Sequence, residues 1–124
     1  HLSLRRQRQM CIRDSATTRI FLPSHISLQI PPNLVNDVDL FIKSGINDFG
    51  GISPKTIDWV NPEHTWPNIQ ELKKSVESTN QELIPRLPVY PSFINKEWLS
   101  PQIYEKVSSV VNEKGYPREH EFTK

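Results

Sequence analysis

The stretch ISLQIPPNLVNDVDLFIKSGINDFGG, residues 26–51, decides the fold. Ile26, Leu28 and Ile30 alternate with Ser27 and Gln29, which predicts a strand with one apolar and one polar face. Pro31-Pro32 ends it, because neither proline can donate a ladder hydrogen bond. Asn33 is then placed to cap a short helix carrying Leu34, Val38, Phe41 and Ile42 on one side. Gly45 falls where a helix C-terminal glycine belongs. A second short strand is expected over residues 46–49, with Asp48 near its end. Strand, helix, strand with short connections is the grammar of an α/β fold, either a parallel βα barrel or an open sheet.

Downstream, a polar proline-bearing loop leads to Pro67, the expected first residue of a second helix with Ile69, Leu72 and Val76 at helical spacing, fraying near Asn80. Residues 83–91 have extended character but contain three prolines, which suits an edge strand or an irregular crossing. Ser100-Pro101 opens a third helix with Ile103, Val107, Val110 and Val111 on its buried side, and Gly115 is expected to close it. Two strands bury too little on their own, so further strands are expected upstream of Ala16. A complete small α+β domain is the competing arrangement.

The 124 residues carry a formal charge of +1, but its distribution matters more. Arg5, Arg6, Arg8 and Arg13 crowd into the first fifteen positions beside one acid, Asp14, leaving 11 basic and 13 acidic residues elsewhere. That balance gives no basic footprint for nucleic acid. Residues 1–15 lack apolar periodicity, and RRQRQMCIRDS resembles a translated sequencing-adapter remnant, with a genuine basic arm as the alternative. This block is expected to be non-native, with a domain over 16–119 and a tail over 120–124. No apolar run reaches the roughly 18 residues of a membrane helix. The single cysteine, Cys11, excludes a disulfide framework and a multi-thiolate metal site, and points to a cytoplasmic setting.

Reactive groups of βα enzymes hang from strand ends and the loops that follow them. Gln29 and Asn33 at the first strand end, and Asp48 with Gly50 and Gly51 at the second, meet that description. Glycine permits close backbone approach to a ligand. Ser53, Thr56, Asp58, Asn61 and Glu63 then put five hydrogen-bonding side chains into eleven residues, interleaved with Trp59, Trp66 and three prolines. A long loop so stiffened is more often functional than connecting. Planar aromatics beside amides and carboxylates suit a flat, polar, heteroaromatic ligand. The histidines show no metal-ligand spacing, and no HExxH or CxxC occurs, so no metal site is expected within the chain. Asp58 and Glu63 are candidate general bases, and Arg86 is placed for a carboxylate or a simple ion pair. A proline-rich interaction domain that binds peptide is the rival from another class.

Taken together, Gln29-Ile30-Pro31-Pro32-Asn33-Leu34, Gly45-Ile46-Asn47-Asp48-Phe49-Gly50-Gly51-Ile52-Ser53-Pro54, Thr56, Asp58, Asn61-Pro62-Glu63, Trp66-Pro67 and Arg86-Leu87-Pro88-Val89-Tyr90-Pro91 resemble the C-terminal part of one family. It is the radical SAM subunit family of FO synthases (CofG), and the likeness covers residues 16–119. The resemblance implies the last two strands of a partial, TIM-like (βα)6 barrel. It also implies a lyase-type synthase in which a [4Fe-4S] cluster reduces S-adenosylmethionine to a 5′-deoxyadenosyl radical. That radical drives closure of a tyrosine–ribitylaminouracil adduct to a deazaflavin, with loss of ammonia. A small-molecule substrate, a companion subunit that forms the adduct, and a cytoplasmic location follow from the same likeness. Gln29, Asn33, Asp48, Gly50, Gly51, Ser53, Thr56, Asp58, Asn61, Glu63 and Trp66 become candidates for the adenosyl and substrate pocket, with no side chain assigned to catalysis. Sibling enzymes, namely the companion subunit and the menaquinone-pathway relatives, continue the Asn-Asp-x-Gly-Gly element with Thr and an acid. Here Ile52-Ser53-Pro54 follows, which favours the cyclising subunit. The family's CxxxCxxC motif is absent, so the chain as it stands is expected to bind neither cluster nor S-adenosylmethionine.

Overall fold

The computed structural model describes residues 2–53 and 55–118, so Pro54 of the candidate loop and the tail 120–124 lie outside the described residues. Helices dominate: α1 (Leu2–Phe21), α2 (Val38–Lys43), α3 (Ile69–Glu77) and α4 (Pro101–Val110), with 3-10 turns at Pro32–Leu34 and Pro91–Phe93. The chain divides into two compact units, His1–Leu83 and Ile84–Lys124. No helix among the described residues is long and apolar enough to cross a membrane.

In the first unit the two expected strands lie side by side and parallel, but among the described residues they amount to a single bridge, Gln29 with Asp48. The Ile30 amide donates to the Asp48 carbonyl at 3.1 Å and the Asn47 amide to the Leu28 carbonyl at 3.1 Å. Pairing and direction therefore match the sequence pattern, whereas strand length does not. Among the described residues no third strand lies beside the pair to extend the ladder, and Pro31-Pro32 removes the next two donors. No barrel is present among the described residues.

The single helix expected after Asn33 is broken in two. Pro32–Leu34 makes one 3-10 turn, and α2 starts afresh with Asp37 at its N-cap. Asn33 is thus not the cap, because its side chain is engaged elsewhere. The helix end behaves as the sequence requires. Gly45, at φ +103°, follows the C-cap Ser44 and donates to the Ile42 carbonyl at 2.9 Å, while Ile46 donates to that of Phe41 at 3.2 Å. This pair of bonds is a Schellman motif, and its customary apolar contact is Phe41 with Ile46. Both side chains are buried and, with Ile30, form the core, against which Ile12, Leu28, Val35 and Phe49 pack. Packing of α3 on α2 buries Leu72 and Val76.

Helix α1 runs without a break from Leu2, in the block 1–15, past Ala16 to Phe21. The lack of apolar periodicity there did not prevent a helix, since Leu, Arg, Gln and Met all favour one locally. Ile12, inside that block, reaches the core. Arg19 ties the helix down: its guanidinium donates to the carbonyls of Gly45 (2.8 Å) and Ile26 (2.9 Å) and to Asn47 Oδ1 (3.2 Å). Asn47 Oδ1 also accepts from the Leu28 amide at 2.8 Å. Helix α3 begins two residues later than expected. Asn68 takes the N-cap position and accepts from the Gln70 amide at 2.8 Å, which leaves Pro67 in the preceding loop.

Residues 83–91, expected as an edge strand or an irregular crossing, form no strand: the segment bends at Pro88 and Val89, and Pro91 opens the 3-10 turn. Arg86 donates to the carbonyls of Leu87 (2.8 Å) and Pro88 (3.3 Å) and lies over the Tyr90 ring at 4.2 Å, so neighbouring backbone and an aromatic face occupy much of its guanidinium. Pro101 opens α4 as expected, but none of the helix is buried. Ile103, Val107 and Val110 border an open apolar groove of about 390 Å³ with Leu87, Val89 and Leu99. Gly115 does not close α4. It sits at φ +81° in the turn between Val111 and Pro117, which form an antiparallel bridge.

Candidate functional site

Residues 50–67 leave the second bridge segment and return to the end of the first through one carboxylate. Asp58 Oδ1 accepts from the amides of Val60 (2.9 Å) and Asn61 (3.2 Å), so Asp58 builds a turn on its own following backbone. Asp58 Oδ2 accepts from the side-chain amides of Asn33 (2.9 Å) and Asn61 (3.2 Å). Asn33 Nδ2 also donates to the His64 carbonyl at 3.3 Å. Both of its partners can only accept, which fixes which way the Asn33 amide points. Three of the sequence-predicted residues, Asn33, Asp58 and Asn61, thus meet in one knot.

Hydrogen bonds to the ionised form, first that from Asn33 and then that from the Val60 amide, hold the Asp58 carboxyl below its ordinary value of 3.8. A carboxylate with four donors and a lowered pKa is a weak base. Its chemistry here is to hold the loop rather than to take protons.

Gln29 and Gly50 form a second close pair. Gly50 has φ +68°, a conformation that other residues rarely adopt, and a Cβ built there would lie 1.7 Å from Gln29 Nε2, so any side chain there is strained and displaces that carboxamide. Gly51 differs, for a Cβ there would meet nothing within 4 Å. Gly50 thus takes the positive φ that glycine permits and is covered by the Gln29 carboxamide, while Gly51 faces open space. Asp48 places its backbone in the bridge directly opposite Gln29.

Other candidates stand apart from these pairs. Thr56 Oγ1 donates to Ser53 Oγ at 2.7 Å, a local turn within the loop. Glu63 is exposed, with its carboxylate 3.7 Å from His64 Nε2. Trp66 is half-buried, and its indole Nε1, like Asn33 Oδ1, is buried with no partner among the described residues. Sequence reasoning missed the His64 carbonyl as an anchor for Asn33, because backbone acceptors leave no residue-type signal. It also missed Arg19, whose role depends on a helix crossing that periodicity did not announce. Among the described residues no three His, Cys, Asp or Glu side chains are grouped to hold a metal ion.

The bridged segments lead into a loop that carries Trp59 and Trp66 and is held to the end of the first segment through Asp58. Curated proteins similar to the chain are synthases. The chain is 43% identical over 103 residues to the 7,8-didemethyl-8-hydroxy-5-deazariboflavin synthase of Methanococcoides burtonii, covering 83% of the chain and 30% of that protein. It is 44% identical over 108 residues to that of Methanothermobacter thermautotrophicus, covering 86% and 31%. With that of Methanocaldococcus jannaschii it shares 49% over 83 residues, covering 66% and 23%. No protein-family model matches the chain, and no solved structure matches it significantly. Over the matched region the chain belongs to the 7,8-didemethyl-8-hydroxy-5-deazariboflavin synthase family, and it spans less than a third of the length of these relatives.

Proposed function

We propose that the chain supplies one wall of the pocket of a radical SAM synthase that closes the tyrosine–ribitylaminouracil adduct to 7,8-didemethyl-8-hydroxy-5-deazariboflavin. One observation carries the reading: six of the motif residues that underlie the family likeness are gathered in two groups, one at Gln29 and one at Asn33, four positions further on. Asn33, Asp58 and Asn61 share a knot, and Gln29, Asp48 and Gly50 meet at the bridge four positions before Asn33.

The single cysteine of the chain, Cys11, is exposed and cannot provide the three thiolates a [4Fe-4S] cluster of this class takes, so the residues present do not fit the cluster. The polar edge does fit a nucleoside or a pyrimidine. The Gln29 carboxamide offers both a donor and an acceptor, and the backbone at Gly51, where a side chain would meet nothing within 4 Å, allows close approach. S-adenosylmethionine, when bound, supplies the radical. The residues of this chain orient the polar rings and exclude water, while Asp58 holds the loop that does so. The proposed enzyme takes a small molecule delivered by a companion subunit, works in the cytoplasm and has a βα barrel of which this chain forms the C-terminal part.

A chimera tests this. Residues 16–118 would replace the matched segment of the M. thermautotrophicus relative, and the purified enzyme would be reconstituted and assayed with the companion subunit, tyrosine and the ribitylaminouracil. Formation of the fluorescent deazaflavin is expected. A folded chimera with a full cluster and no product would refute the proposal.

A further inference from the structure

The turn built by Asp58 spends its hydrogen bonds on a costly result. Trp59 is 82% exposed and Val60 85% exposed, with Ile57 beside them half-exposed. A tryptophan has some 150–250 Å² to bury, so a loop free to relax would fold this ring back onto the protein. It is not free to relax. The Val60 and Asn61 amides are held on Asp58 Oδ1, and Oδ2 is anchored to Asn33, which follows the bridged Gln29 by four residues. The indole is therefore exposed on a turn that a 2.9 Å hydrogen bond fastens to Asn33, four positions beyond the bridged Gln29. Trp66, the other aromatic of the loop, is half-buried and does not have this freedom.

We infer that Trp59 is a substrate-stacking residue, presenting its indole face to the flat heterocycle bound at the Gln29–Gly50 edge, with Asp58 as its positioning residue. This deepens the proposed function and rests on it. The synthases this chain resembles are named for a deazariboflavin, a flat fused-ring product. Such a product and its pyrimidine precursor share a π-face, and stacking on an aromatic side chain tolerates change along the reaction better than directed hydrogen bonds do.

The test has two arms. In the active chimera, Trp59→Phe should keep KM within about twofold, and Trp59→Ala should raise KM for the ribitylaminouracil-derived substrate about tenfold or more. Asp58→Asn, which sets an amide donor against the amides of Asn33 or Asn61, should raise KM in the same way with cluster content unchanged and the chimera still folded at the assay temperature. A purely structural role would move stability rather than KM. In the second arm the 124-residue chain is titrated with riboflavin, a flat tricyclic probe, while the Trp59 indole N–H is followed by NMR, with ribitol as control. A saturable shift that ribitol does not cause is expected. An active chimera whose Trp59→Ala variant has unchanged KM overturns the inference. So does a Trp59→Ala variant that changes only oligomeric state, which would make the tip a protein interface. An inactive chimera would sink the proposed reaction, and the riboflavin titration would then decide the stacking site alone.

Discussion

Asn33 Nδ2 lies 2.9 Å from Asp58 Oδ2, a hydrogen bond that spans 25 positions and pins the long loop to the end of the first bridge segment. Everything proposed about the site depends on that clasp. Replacing Asp58 by Ala removes the acceptor for four donors at once. Amide exchange at Val60 and Asn61 should accelerate markedly, while exchange in α2 and α3 stays as it was, because the core there does not use the carboxylate. Unchanged protection at Val60 and Asn61 would show that the turn stands without Asp58.

The same carboxylate sets a pH dependence. Its folded-state pKa is depressed below 3.8, chiefly by Asn33 and then by the Val60 amide. A depressed acid contributes stability above its unfolded pKa and loses that contribution as pH falls through the folded value. The clasp should therefore hold throughout the neutral and mildly acidic range and open only below pH 3.8. Following the Trp59 indole and the Val60 amide by NMR during acid titration checks this. Opening at higher pH would mean that another group controls the loop.

The two glycines should separate stability from function. Gly50→Ala forces a left-handed residue and a clash with Gln29, and should cost about 1–2 kcal/mol in chemical denaturation. Gly51→Val enters open space and should leave stability within about 0.5 kcal/mol, yet lower turnover of the chimera by crowding the ligand. Equal destabilisation by both would assign both glycines to folding.

The core offers a control. Phe41 is 2% exposed and holds both the Schellman contact and the cluster with Ile30 and Ile46. Phe41→Ala should cost about 3–5 kcal/mol and unfold the first unit at temperatures where the Asp58 variants remain folded.

How much was legible in the sequence follows from which forces act locally. Period-2 alternation over 26–30 and the glycine at 45 fixed the pairing of the two segments and the end of α2, because side-chain direction and positive φ are local properties. Strand length was not legible, since a ladder depends on neighbours that no local pattern supplies. The uncovered face of α4 was missed for the same reason: Ile103, Val107 and Val110 show an apolar stripe, and a stripe says nothing about whether anything lies against it. Within the site, residue density marked the loop 50–67, but roles within it needed geometry. Asp58 read as a candidate base and proved to be a fastener, and Asn33 read as a helix cap and proved to be its partner. The N-terminal helix was hidden because propensity built it without periodicity.

The most direct measurement of the central claim is the turnover of the chimera carrying Asp48→Ala. Asp48 contributes its backbone to the bridge with Gln29, so the bridge hydrogen bond from Ile30 to its carbonyl survives the substitution and only the side chain at the edge is lost. If this edge is the pocket, turnover should fall at least about tenfold, equivalent to about 1.4 kcal/mol, with cluster content and melting temperature unchanged. Turnover equal to that of the unsubstituted chimera, or a loss that runs parallel to loss of cluster or fold, would contradict the account.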